Sequence, residues 1–180
     1  MKKIVTIAMS ALLILGLAAC GGNGGNSETA DVDLESFYAG LAEEYGWTED
    51  VENIGPNDLL LSTIEGEMLE SYYPGLSEIP AKQLIYSQKV AKAPTMSAVV
   101  NEVVFIQCET AEDAEKAAEI FQARIDYQVG DETNPGGAWY PESIESWKQA
   151  QVVQEGTYAA LIAVNSNGAE IAEAFAQQFQ

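Results

Sequence analysis

Carboxylates are the most abundant groups in this chain that could do chemistry. Asp and Glu number 28 against 8 Lys and Arg, and histidine is absent. The acids gather at Asp31, Asp33 and Glu35, and again at Glu109, Glu112, Asp113 and Glu115. Both clusters fall where a helix is expected to begin, and carboxylates there complement the positive end of the helix dipole. A calcium loop needs the D-x-D-x-D-G spacing with a distal Glu, which the chain lacks. Two acids facing each other at roughly 5–10 Å in a cleft could hydrolyse a glycoside, but that separation is a property of the fold. Without histidine there is no Ser-His-Asp or Cys-His nucleophile system and no imidazole metal site. No phosphate loop or metal-ligand spacing is present either, so no cofactor is expected.

Glu102 and Arg124 are the candidate structural ion pair. Arg124 is the only arginine. It lies on an expected helix, while Glu102 opens an expected strand. A partly buried pair tying helix to sheet is the expectation; the alternative is a guanidinium that clamps a ligand carboxylate. Cys108 alternates onto the strand face of Val104 and Ile106, the place of an inert buried thiol. Few bases lie nearby to lower its pKa. Trp139, Tyr140 and Trp147, with Pro141, come after a polar loop expected to be mobile. Such aromatics either complete a satellite core or form an interaction patch for a partner or glycan.

The N-terminus carries chemistry of another kind. Lys2 and Lys3 form a basic start, Ile4 to Leu17 an apolar run of 14 residues, and Ala18-Ala19-Cys20 a small-residue end. This is the layout of a secretory signal, and the run is short of the ~20 residues that span a bilayer. Leu17-Ala18-Ala19-Cys20 resembles the lipobox of bacterial lipoproteins. That resemblance implies a signal peptide over residues 1–19 and a diacylglycerol thioether on Cys20, the first residue after cleavage. It also implies that Cys108, the only other cysteine, stays unpaired within the chain. Further acyl chains such as palmitate would strengthen the anchor, since each buried CH2 contributes ~0.8 kcal/mol and one chain anchors only marginally. Residues 20–30 then read as a flexible Gly/Asn linker with a reach of roughly 16–19 Å. The implied location is the extracytoplasmic face of the cell membrane.

Residues 31–180, which must position these groups, are long enough for one domain with its own core. A first helix is expected from Asp33 to Tyr45, where Leu34, Phe37, Tyr38, Leu41, Ala42 and Tyr45 form one apolar stripe. Asp31 or Asp33 can cap it, and Gly46 ends it. Gly55-Pro56-Asn57 marks a turn, and a second helix is expected from Asp58 to Tyr72, stopped by Pro74-Gly75. Strands are expected at Leu84–Val90 and Glu102–Glu109, with a break at Ala93-Pro94. Thr110 and Asp113 then form a capping box. The helix it opens presents Ala114, Ala117, Ala118, Phe121 and Ile125, and ends near Gly130. A short helix ends near Trp147. Strands at Gln151–Gln154 and Thr157–Val164 are expected to be joined through Glu155-Gly156, and a last helix carries Ile171, Phe175 and Phe179. The fold class is therefore α+β: two N-terminal helices and a doubled strand-strand-helix body. Its four-stranded, mostly antiparallel sheet should have helices on a face.

Certain residues in this order resemble the bacterial lipoproteins grouped as domain of unknown function 4358. They are Asp33-Leu34, Met96-Ser97, Asn101-Glu102 before Val103-Val104-Phe105-Ile106, Arg124, Tyr140-Pro141 and Gly156-Thr157-Tyr158. Thr157 departs from the Gly-Asn-Tyr that the family favours at that hairpin. The resemblance covers Asp31 to Phe179 and implies an exported lipoprotein without an assigned activity, so it transfers no catalytic residue.

Lys2 and Lys3 lie in the signal, leaving 28 acids against 6 bases after it, a formal charge of −22. Phosphate binding rests on Lys and Arg, so nucleic acid is not an expected partner. The expected partners are the bilayer, through acylated Cys20, and an unknown envelope protein or ligand. The expected function is a non-enzymatic interaction or accessory module of the envelope. The alternative is a small-ligand-binding protein or a carboxylate-dependent envelope hydrolase.

Overall fold

Asp33 starts the first helix as its sequence position requires. Its Oδ1 accepts from the backbone N–H of Glu35 and Ser36, at 3.1 and 3.2 Å, and α1 runs over Leu34–Glu44. In this computed structural model residues 31–47, 66–92 and 97–180 are described. The signal, Cys20, the linker, the Gly55-Pro56-Asn57 turn, the start of the second expected helix and the Ala93-Pro94 break lie outside them. The second helix is described over Gly66–Tyr72 (α2). The strands are longer than their apolar patterns: β1 covers Ala81–Lys92 and β2 Ser97–Cys108. Backbone pairing continues past the residues whose side chains need burial.

Thr110 caps α3, Ala111–Val129, by accepting from Asp113 N at 3.1 Å. Then come α4 (Pro141–Lys148), β3 (Gln151–Glu155), β4 (Tyr158–Ala163) and α5 (Gly168–Gln177). The sheet order is β1-β2-β4-β3 and every pairing is antiparallel. The class is α+β. Glu155 pairs with Tyr158, so the hairpin turn is Gly156-Thr157, one residue later than expected. Gly156 has φ +55°, the positive value that the first central residue of a primed two-residue turn needs.

One expectation is corrected: helices cover both faces of the sheet. Val104, Ile106, Cys108, Leu161 and Tyr86 pack against α2, α3 and α4. Val103, Phe105, Ile162, Tyr158 and Ile85 pack against α1 and α5. The physical reason is written in β2 and β4, whose uninterrupted apolar runs suit burial on two sides rather than one. Consequently Phe121 and Phe175 occupy opposite layers. The doubled strand-strand-helix order is present, but its two helices do not share a face, and α4 stands between the units.

The chain enters on the α1/α5 side. Val32 N donates to the Tyr158 hydroxyl at 2.9 Å, and Gln83 Nε2 donates to Val32 O at 3.0 Å. Gln107 Nε2 donates to Asp31 Oδ1 at 3.2 Å. Among the described residues no helix is long and apolar enough to cross a membrane.

Candidate functional site

Glu102 points into the α3 side of the sheet because it shares the parity of Val104 and Ile106 on β2. Its cross-strand neighbours are Gln88 on β1 and Ala163 on β4. Only 1% of it is exposed. Arg124, 8% exposed on the inner face of α3, donates from Nε to Oε1 and from Nη2 to Oε2, each at 3.2 Å. This is the two-pronged geometry that guanidinium and carboxylate favour. The Tyr73 hydroxyl donates to Oε1, Gln88 Nε2 to Oε2 at 2.8 Å, and Tyr86 reaches Oε2 at 3.5 Å. Burial alone would depress the Arg124 pKa; the Glu102 carboxylate outweighs it and holds the guanidinium above its usual range. Burial, then the Glu102 charge, pushes both Tyr73 and Tyr86 upward, so these phenols stay protonated donors.

Aromatic rings enclose the guanidinium. Its carbon lies 4.7 Å from the Tyr72 ring centroid, 5.2 Å from Trp147 and 5.7 Å from Tyr73. Tyr72 and Trp147 in turn line an open cleft of about 680 Å³, together with Arg124, Tyr127, Trp139 and Ser143. The buried residues form its inner wall. Tyr127, 68% exposed, and Trp139, 51% exposed, form its mouth.

Two local devices hold these walls. Ser146, on α4, donates to Val100 O, and its hydroxyl lies 2.9 Å from Glu142 O, fixing the helix that carries Ser143 and Trp147. The loop before Trp139 is tied rather than loose. Asp131 Oδ1 accepts from Thr133 N and Asn134 N at 2.6 and 2.9 Å, and hydrogen bonding from Thr133 lowers the Asp131 pKa to about 2. Gly137 N and Ala138 N donate to Tyr127 O and Gln128 O, at 2.9 and 3.1 Å. The loop thus folds back along the end of α3. Gly130 and Gly136 have φ of +72° and +79°, and a Cβ on either would collide with the other's stretch of backbone.

The fold sorts the candidates named from the sequence. Glu102 and Arg124 are in direct contact, and Arg124 also faces the cleft. The aromatic trio divides: Trp139 is exposed at the mouth, Trp147 is buried in the wall, and Tyr140 meets Trp139 edge-on at 5.9 Å without lining the cleft. Cys108 is fully buried in the core on the α3 side, and burial, then the Asp113 charge, raises its pKa to about 11. The acidic clusters do helix work, with Asp33 and Asp113 at caps and Glu112 paired to Lys116 at 3.0 Å. Among the described residues no group of acids and cysteines could hold a metal, and no Asp or Glu lines the cleft. Tyr72, Tyr127 and Ser143 were not among the sequence candidates. Tyr127 lies three residues after Arg124 and Ser143 four before Trp147, so helical spacing alone could have found both.

Among the described residues, three polar groups in this cleft make no hydrogen bond. They are Arg124 Nη1, Trp147 Nε1 and Ser143 Oγ, on residues 8%, 2% and 5% exposed. Every wholly buried side-chain nitrogen and oxygen among the described residues is hydrogen-bonded. These three atoms therefore touch solvent, and all three residues line the cleft.

No family model, curated protein or solved structure matches the chain.

Proposed function

We propose that this chain is an envelope binding module, tethered to the extracytoplasmic face of the membrane by acylated Cys20 and grouped with domain of unknown function 4358. It works by holding a ligand or partner in the aromatic cleft, not by breaking bonds. One observation carries this reading: nearly buried residues whose polar groups make no hydrogen bond among the described residues line an open cleft with exposed aromatics at its mouth. Such a surface is shaped for recognition. Two observations favour binding over the hydrolase alternative: among the described residues the lining holds no carboxylate, and Glu102 is enclosed by five donor contacts.

Two experiments test the two halves. Metabolic labelling with a lipid precursor should mark the wild type and not Cys20→Ala; label on the variant would defeat the anchor. A photo-crosslinking residue placed at Tyr127 should give adducts in living cells, while one at Glu173 on α5, across the sheet, should not. Equal yields from both positions would defeat the cleft as the binding surface.

A further inference from the structure

The cleft's chemistry narrows what it takes, and this step rests on the binding function proposed above. Its inner wall is rich in donors. Arg124 Nη1 carries two N–H and the Trp147 indole one, while Ser143 can donate or accept. Gln128 also lines the cleft, and among the described residues its side chain makes no hydrogen bond. The wall carries almost no net charge, because Glu102 neutralises Arg124. An anionic ligand would add a second carboxylate or phosphate to an already paired guanidinium, inside a chain of net charge −20. A cation would find no carboxylate among the described residues of the lining. The ligand that fits is neutral and rich in acceptors, with flat apolar faces for Trp139 and Tyr127.

A peptide brings an N–H with every carbonyl along its length, more than the Ser143 hydroxyl and the Gln128 amide oxygen can accept. A glycan carries at most one amide per ring, and that N–H can face solvent in an open cleft. Sugar hydroxyls are both donors and acceptors, so they can receive from the wall while donating to solvent. An acetamido carbonyl is a stronger acceptor still and brings a methyl group for the Tyr72 and Val99 surfaces. Sugar rings lay their C–H faces on exposed aromatics, burying apolar area on both. We infer that the cleft binds a neutral glycan bearing acetamido groups. The acetamido oxygen takes the N–H groups of Arg124 and Trp147, and a ring stacks on Trp139.

The test is a tryptophan-fluorescence titration of the full chain in a sugar-free detergent, with tri-N-acetylchitotriose as probe. The expected result is saturable binding with a Kd at or below about 1 mM. Trp139→Ala should weaken it by roughly tenfold or more, with Tyr127→Ala as a second exposed variant. Both leave the core intact, which far-UV circular dichroism verifies. Because the ligand is neutral, Kd should change by less than about twofold between low and high salt. Absence of saturation, or equal affinity in wild type and both variants, overturns the glycan assignment. A polyproline peptide, which has carbonyls and no N–H, is the competing probe. If it saturates with loss in Trp139→Ala while the trisaccharide is silent, the glycan assignment falls and the binding cleft stands. If both probes are silent and Tyr127 gives no crosslinks in cells, both fall together.

Discussion

Glu102 is the residue on which the α3 side of the molecule closes. Removing its cation leaves a buried carboxylate without compensation, which costs about 3–5 kcal/mol, whereas an apolar pair of similar volume is often tolerated. Arg124→Met should therefore lose about that much in urea unfolding, and Glu102→Leu/Arg124→Met should recover at least half. A double-variant loss equal to the sum of the Arg124→Met and Glu102→Leu losses would mean that the two are not coupled. Cys108 makes a separate prediction. Its thiol ordinarily titrates near 9, and in the fold near 11. Between those values the unfolded chain binds fewer protons than the folded one, so stability falls as pH rises, by at most ~1.4 kcal/mol per pH unit. Urea midpoints at pH 8 and pH 10.5 should differ less in Cys108→Val than in wild type. At pH 8 a thiol reagent should reach Cys108 only after denaturation.

At the scale of elements, one device sets the start of α3 and another secures the loop beyond its end. Thr110→Ala removes the cap and should cost about 1 kcal/mol, read from the thermal midpoint. Asp131→Ala unties the loop behind Trp139. Faster amide exchange at Gly137 and Ala138 should report it with little change in the midpoint, because Asp131 is exposed. The Asp131 pKa is lowered, so this support is complete above about pH 4 and is lost as pH falls through about 2. Much of this level was legible in the sequence. The α1 stripe, the Thr110-Asp113 box and the β2 alternation each rest on neighbours within a few residues. The Glu102–Arg124 contact was legible for another reason: one arginine leaves few ways to balance a carboxylate on an apolar strand. The two-sided sheet was written as continuous apolar runs in β2 and β4, yet such runs also satisfy the alternation of a one-sided strand. The cleft was illegible because Tyr72, Arg124, Trp139 and Ser143 come from separate segments, and only the packing of α2, α3 and α4 brings them together.

The whole molecule is strongly anionic, and its surface repels itself. Added salt screens that repulsion over a Debye length of about 10 Å at 0.1 M. The thermal midpoint should accordingly rise between low and moderate sodium chloride. A midpoint that falls would mean that attractive pairs, such as Lys116 with Glu112, outweigh the net charge.

Chain entry and cleft lie on opposite sides of the sheet. Asp31 and Val32 are held beside Tyr158, and Arg124 and Trp147 stand across β2 and β4. A leash attached at Cys20 would hold the domain by its back. The mouth between Tyr127 and Trp139 would then look away from the bilayer, toward whatever lies above it. The sheet itself would serve as the spacer, keeping the grip on the membrane and the grip on the ligand from competing for one surface.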